Sequence, residues 1–413
     1  MLALTVVVFA LTYLGMALGR MPGLKIDRSG IALVAAIILA ATGAITPERA
    51  VAAVHFPTIL LLFALMIVSA RFAAAGFYDA LAARIARAGG GPTTLLAGIV
   101  ALAGGLSAVL VNDVVVFVLT PLLCAGLTRS GRDPRPYLFA LAGASNAGSA
   151  ATLIGNPQNI VIGQVGELDF WRFFAVCVVP AVLALVAVFA VVRIVWRKQL
   201  AQIALASATL QADRVAVPLD RGQTIKATLA TLALLVLFAT PIPRELSALA
   251  VAGLLLTSRR FASREMLTAV DWPLLLLFVG LFVVNDAFAA TGLARQGLDR
   301  LAAHGLLPDR LAVLAPLALV ASNTIGNVPA VVMLLAIWPE IGEGALYALA
   351  VLTTLAGNCF LVGSIANLIV AERAATMGVR LRFGDHARAG VPMTLLSVAF
   401  AMAWLGWGGW LRW

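Results

Sequence analysis

Charge is scarce in this chain. Of its 413 residues, 12% are charged and 62% are hydrophobic, against roughly 25% charged in soluble domains. That deficit excludes an ordinary soluble domain. Apolar runs near the ~20 residues needed to cross a bilayer recur along the whole length. The short alternating segments of a membrane barrel are missing. Cysteine is sparse too: Cys124, Cys177 and Cys359 lie in apolar segments with no CxxC spacing and no histidine partner, the pattern of buried thiols and not of metal ligands. The opening run, Met1–Gly19, has neither a basic start nor a small-residue cleavage site, so it is expected to stay as a first span. No HExxH or GxSxG occurs, and no GxGD surrounds Asp113 or Asp286, so an intramembrane hydrolase lacks its signature. The chain reads as a non-enzyme. Its net charge of +10 is not a nucleic-acid footprint, because the basic residues sit in short loops between spans, where they set orientation. The partners expected are the lipid bilayer and a small ion or anion.

What is present is doubled. Pro57–Gly76 (PTILLLFALMIVSARFAAAG) and Pro273–Gly292 (PLLLLFVGLFVVNDAFAATG) are both apolar, both open on proline after an aromatic, and both close on FAA-x-G, about half the chain apart. A membrane protein made of two related halves keeps its binding site where they meet, a plan used mainly by secondary transporters. The expected organisation is a first repeat over residues 1–196, a cytoplasmic linker over 197–226 and a second repeat over 227–413. Full spans are expected near 2–19, 29–47, 55–76, 136–164 and 171–196, then 227–242, 245–258, 270–292, 344–371 and 389–411.

Two apolar stretches, 93–127 and 309–338, are long for one span and short for two, and each is polar at its middle. Basic residues flank the first on both sides (Arg84 and Arg87; Arg129, Arg132 and Arg135), which places both of its ends in the cytoplasm. It therefore enters and leaves on one side, as a re-entrant hairpin of two half-helices lining a cavity or buried in protein. Five spans plus a hairpin are an odd number of crossings, so the second half is inverted relative to the first. Arg20/Lys25/Arg28, Arg193–Lys226, Arg259/Arg260/Arg264 and Arg373–Arg388 then fall inside. Glu167/Asp169, Glu340/Glu343 and both termini fall outside. Arg295, Arg300 and Arg310 also fall outside, against the rule; the first two sit on an amphipathic segment matching Phe77–Gly89, which is expected along the membrane interface.

Polar clusters interrupt the apolar helices at matching places in the two halves. The hairpin tip Val111-Asn112-Asp113 matches Gly326-Asn327-Val328. Gly148–Asn159 (GSAATLIGNPQN) aligns with Ala356–Asn367 (AGNCFLVGSIAN), and both end on Gly-x-x-x-Asn. Gly155 with Pro157, and Gly363 with Ser364, are suited to breaking a helix in mid-membrane, which frees carbonyls for a cation and amides for an anion. Two tips facing two breaks would enclose a site near the midplane. Asn112, Asn159, Asn327 and Asn367 are its expected amide ligands. Ser145, Asn146, Thr152, Asn156, Ser322, Asn323, Thr324, Asn358 and Ser364 supply further polar atoms. The alternative is that these residues satisfy backbone groups or join helices, as Asn, Ser and Gly do in many bundles. Asp113 stands apart, because an ionisable residue at membrane depth is costly and marks function by default. A sodium site at Asn112, Asp113 and Asn159 is one expectation and an ion pair of Asp113 with Arg71 another; Asp286 lies nearer the outer end of its span.

These motifs resemble the ion transporter superfamily that includes divalent-anion/sodium symporters, arsenite permeases and D-type sodium/proton antiporters. The resemblance covers nearly the whole chain and is most specific at Val111-Asn112-Asp113 with Leu119-Thr120-Pro121, at Ile154–Asn159 and at Ser322–Pro329. It implies an all-α polytopic fold of two inverted repeats, each of five transmembrane helices and a re-entrant hairpin. It also implies an elevator division into a scaffold, which holds a homodimer contact, and a transport domain. The symporters carry Ser-Asn-Thr at both tips. Here a hydroxyl is lost from each and a carboxylate, Asp113, is gained. Asp113 beside a dianion is repulsive by several kcal/mol at low dielectric, so the chain looks more like the arsenite permease and antiporter branch. The expected function is secondary transport of a small inorganic oxyanion or metalloid, coupled to protons by alternating access in the cell inner membrane. A sodium/proton antiporter, a sodium-coupled (di)carboxylate symporter and a passive channel are the alternatives. No cofactor is expected beyond H+ or Na+ as coupling ion.

Overall fold

A computed structural model describes residues 1–18, 25–87, 91–129, 131–200, 219–257, 261–305, 307–338 and 340–413. Arg20, Arg259, Arg260 and most of the expected 197–226 linker lie outside the described residues. After the Trp196 cap, residues 197–200 are again helical, and the next described helix starts at Arg221.

Among the described residues the chain forms twenty α-helices and one 3-10 turn, with no strand. Ten helices precede the linker: α1 (Leu2–Leu18), α2 (Arg28–Ala41), α3 (Pro47–Ala53), α4 (Phe56–Ala74), α5 (Phe77–Arg87), α6 (Pro92–Val109), α7 (Asn112–Arg129), α8 (Arg135–Ser149), α9 (Pro157–Val165) and α10 (Phe170–Val195). Ten follow it: α11 (Arg221–Leu237), α12 (Arg244–Leu256), α13 (Ser263–Thr268), α14 (Trp272–Ala289), α15 (Leu293–Ala303), α16 (Leu311–Thr324), α17 (Asn327–Ile337), α18 (Glu343–Ala356), α19 (Ile365–Thr376) and α20 (Phe383–Trp407). Short, long, amphipathic and broken helices come in the same order in both sets. The starts are written locally. Asp27, Thr46, Asn156, Asp169, Asp220 and Asp271 each cap a helix by accepting a backbone N–H. Proline occupies the first turn of α4 and of α14.

Among the described residues five helices are apolar and long enough to cross a membrane: α4, α6, α10, α14 and α20. The expected spans 136–164 and 344–371 are each two helices with an irregular link. In both stretches read as hairpins the helix is interrupted at the polar middle, at Leu110–Val111 and at Ile325–Gly326. The arms of the first are longer than half-helices, 18 residues each, or about 27 Å at the α-helical rise; those of the second have 14 and 11.

The helices pair in a pattern that survives exchange of the two sets. α2 lies on α14 as α12 lies on α4, α6 on α8 as α16 on α18, and α7 on α19 as α17 on α9. α10 lies on its own counterpart α20. α8 and α18 run through the centre. Every residue from Pro136 to Ser149, and from Ala345 to Ala356, is buried. Their polar side chains therefore have only protein to bond to.

Candidate functional site

The breaks are built alike. Between α8 and α9 the backbone leaves the helix at Ala150–Asn156. A Cβ on Gly155 would collide with the carbonyls of Ser149 and Ser107, so only glycine lets tip and break approach this closely. Asn156 caps α9 by accepting the Asn159 N–H at 2.9 Å. Asn159 Nδ2 then donates back to the carbonyls of Ser149 (3.2 Å) and Thr152 (3.0 Å). Between α18 and α19, Asn367 Nδ2 donates to the carbonyls at the same two places, Gly357 (2.8 Å) and Phe360 (3.1 Å). One amide at one position closes each break, which satisfies groups that a helix end leaves bare. Those carbonyls are engaged by protein, and so are both ends of the Asn159 amide, because its Oδ1 accepts the Thr354 hydroxyl at 3.4 Å.

Each central helix holds the break of the other half. On α8, Asn146 donates to Oδ1 of Asn358 (2.8 Å) and of Asn367 (3.1 Å), and accepts from the Ser364 hydroxyl (3.0 Å) and from Asn112 Nδ2 (3.3 Å). On α18, the counterpart Thr354 accepts from Asn156 Nδ2 (3.3 Å) and Gln158 Nε2 (3.2 Å) and donates to Asn159. Asn358 Nδ2 reaches the Gly143 carbonyl at 3.1 Å. His386 Nε2 lies 3.1 Å from the Asn358 carbonyl. Apart from His386, its described members carry no ionisable side chain.

The tips meet this network. Asn112 N–H donates to the Gly155 carbonyl at 2.9 Å. Ser145 Oγ lies 2.8 Å from Ser107 Oγ, beside the Asn112 carbonyl. Ser322, the counterpart of Ser107, donates to the Thr353 carbonyl at 3.4 Å. Asn323 donates to the Ala356 carbonyl (2.8 Å) and accepts the Phe360 N–H (3.2 Å), with Gly363 pressed against it. Thr152 donates to the Ala108 carbonyl at 2.6 Å. Asn327 lies against Gly357. At the two tips three buried side-chain oxygens have no hydrogen-bond partner: Asn112 Oδ1, Asp113 Oδ2 and Asn327 Oδ1. All three sit on the first turn of a tip helix.

The structure thus gathers Asn112, Ser145, Asn146, Asn156, Asn159, Asn358, Ser364 and Asn367 into bonded networks. Thr324 is exposed and bonds only to its own helix, at Val320 and Ala321. Arg71 donates to Gln223 and lies over the Phe261 ring, with no ion pair to Asp113. Asp286 pairs at 2.7 Å with Arg49 on α3, away from the tips. Ser107, Ser149, Gln158, Thr354 and His386 join these networks and escaped the sequence reading. Thr354 could have been found by extending the break alignment two residues upstream, where it meets Asn146. Among the described residues no group of His, Cys, Asp and Glu forms a metal cluster.

Comparison with known proteins agrees with this architecture. A family described as "Citrate transporter" matches residues 7–345. An uncharacterized transporter of Mycobacterium tuberculosis is 28% identical over 425 residues, covering 94% of each chain. A silicon efflux transporter of Oryza sativa subsp. japonica is 26% identical and covers 93% of each. A putative transporter arsB of Dictyostelium discoideum is 22% identical over 91% of this chain and 86% of its own. Among solved structures, the Alcanivorax borkumensis YdaH transporter superposes with a TM-score of 0.55 at 15% identity, over 98% of this chain and 97% of that one.

Proposed function

The chain belongs to the citrate transporter family of multi-pass membrane transporters, and on that premise we propose that it moves a small oxyacid of the metalloid-hydroxide type, coupled to protons by alternating access. The observation that carries this reading is that the first turns of both tip helices hold buried acceptor oxygens without donors, Asn112 Oδ1, Asp113 Oδ2 and Asn327 Oδ1. A buried acceptor left unpaired costs about 1–3 kcal/mol, so their retention at both tips fits a ligand that brings O–H donors. A neutral hydroxylated solute such as arsenous or silicic acid does so, and an ionised carboxylate does not. A polycarboxylate placed about 4 Å from an ionised Asp113 would meet about 4 kcal/mol of repulsion per charge at an effective dielectric of 20. Asp113 is then the carrier of the coupling proton. The relatives named for silicon efflux and as arsB support the same substrate class.

In this proposal the two sets of ten helices are inverted repeats, α6–α7 and α16–α17 are re-entrant, and both termini lie outside the inner membrane. α1–α4 and α11–α14 form the scaffold of a homodimer. The decisive experiment is flux in proteoliposomes of purified protein, with arsenite, silicic acid and citrate each offered with and without a pH gradient. Gradient-linked flux of the first two is expected; citrate flux alone would overturn the substrate class. The carboxylate and amide oxygens of the first tip favour a second reading, sodium/proton antiport with Na+ at Asn112 and Asp113. Sodium-evoked dequenching of a pH dye, lost in Asp113→Asn, separates it from the first.

A further inference from the structure

The two halves are alike in the order of their helices and unlike in how α9 and α19 meet their neighbours. At one end of the bundle α9 is clasped to α12. Arg244 donates through Nη1 to the Leu168 carbonyl (2.7 Å) and through Nη2 to the Gly163 carbonyl (2.9 Å). Beside it, Gln164 Nε2 donates to Glu245 Oε2 at 3.3 Å. A guanidinium on the last carbonyls of a helix is favourably placed both as a cap and toward the helix dipole. Around this clasp Ile154, Ile160 and Val161 are at most 1% exposed.

The counterparts of these residues make no clasp. In the register set by Pro57 and Pro273, Arg28 stands for Arg244 and Ser29 for Glu245. In the register set by Asn159 and Asn367, Glu372 stands for Gln164, and Val362, Leu368 and Ile369 stand for Ile154, Ile160 and Val161. Arg28, Ser29, Val362, Leu368, Ile369 and Glu372 together line a cavity of about 460 Å³ between α2, α14 and α19. The three apolar residues, buried on the α9 side, are half-buried here. Arg28 donates to the Met16 carbonyl at 3.1 Å, and its Nη1 approaches Gly326 at the second tip. It forms no ion pair and no bond to α19 among the described residues. α4 packs on α9, whereas α14 stands off from α19.

One motif is therefore present in two conformations within one chain. α9 and α19 are tied into one body, because α8 bonds to the break before α19 and α18 to the break before α9. A shift that closes the cavity at α19 draws α9 off its clasp. We propose that Arg28 and Arg244 are the two latches of the transport cycle, engaged one at a time. In the alternate state Arg28 donates to the last carbonyls of α19, at Ala371 and Thr376, and Ser29 bonds Glu372, while Arg244 is released. With the orientation proposed above, the open cavity faces the cytoplasm and the Arg244 clasp seals the outside. This rests on the alternating-access reading, and its test is independent of any substrate.

The full chain in lipid nanodiscs carries one of two cysteine pairs, Gln164→Cys with Glu245→Cys or Ser29→Cys with Glu372→Cys, in a background whose native cysteines are buried. Copper-phenanthroline oxidation reports each closed clasp. Both pairs are expected to cross-link in separate preparations, and in the four-cysteine variant each molecule is expected to form one disulfide or the other. Arg244→Ala is expected to raise the ratio of the 29–372 product to the 164–245 product about tenfold, the low end for losing charge-assisted bonds. Arg28→Ala is expected to lower that ratio, and Arg244→Lys to restore part of it. The proposal is overturned if the 29–372 pair stays reduced in protein with native melting temperature and gel-filtration profile. It is equally overturned if both disulfides form in one molecule, or if neither arginine variant moves the ratio. Alternating disulfides without oxyacid flux would instead remove the substrate reading and leave the latches standing.

Discussion

Asn146 is the most heavily committed side chain at the centre, and truncating it measures how much the crossing between halves is worth. Asn146→Ala removes four hydrogen bonds and strands Asn358 Oδ1, Asn367 Oδ1, the Ser364 hydroxyl and Asn112 Nδ2. None of these groups reaches solvent, since Asn112, Asn146, Asn358, Ser364 and Asn367 are at most 3% exposed. Hydrogen bonds inside membrane proteins average about 0.6 kcal/mol, and intramolecular bonds in general up to about 1.5. The four together give a loss of about 2–6 kcal/mol. Thr354→Val is the internal control. It keeps the side-chain shape and removes three bonds of 3.2–3.4 Å, which at that length take the low end of the per-bond range, so about 2 kcal/mol is expected. The assay is unfolding in detergent followed by near-ultraviolet circular dichroism and by gel filtration after heating. Asn146→Ala should melt well below Thr354→Val, and Thr354→Val below the native protein. Equal melting of the two variants, or a native-like Asn146→Ala, would refute the view that Asn146 joins the halves.

Three further outcomes follow from the geometry. Asp113→Asn, isosteric at a site where Oδ2 is unpartnered, should leave the melting temperature within a few degrees of native and reduce proton-linked flux at least ~100-fold; full flux would remove Asp113 from the coupling role. Gly155→Ala drives a methyl into the carbonyls of Ser149 and Ser107 and should destabilise by about 1–3 kcal/mol, whereas Gly105→Ala, with open space around it, should be silent in the same melt. Arg49→Ala breaks the Asp286 pair, whose side chains are 52% and 34% exposed, and should cost less than ~1 kcal/mol and leave flux intact; a transport defect would return Asp286 to the functional set.

Much of the fold is written locally. The doubled PxLLLxF…FAAxG segment, the polar middles of 93–127 and 309–338 and the two Gly-x-x-x-Asn endings mark helices, turns and breaks, because each is a property of neighbouring residues. The partners of those residues are not local. Asn159 and Asn367 read as free amide ligands, yet each closes its own break, and nothing in the spacing tells which carbonyls a side chain folds back upon. Thr354 is one of two adjacent threonines in an apolar helix and gains meaning only opposite Asn146. Arg28 and Arg244 read alike as charges near membrane ends. Their difference is a matter of which conformation the chain holds, and that is not encoded in composition or period.

The crossing of α8 and α18 also constrains how the protein is made. Asn159 finds its hydroxyl partner Thr354 only 195 residues later, about 10–40 s of synthesis at 5–20 residues per second. Through that interval the first half stands in the membrane with an incomplete centre. A ribosome stalled between the halves leaves a fragment whose Gln158 amide and Asn159 oxygen lack their Thr354 partner. A gene cut at the linker should therefore work only when both fragments are made together, each serving as the folding template of the other.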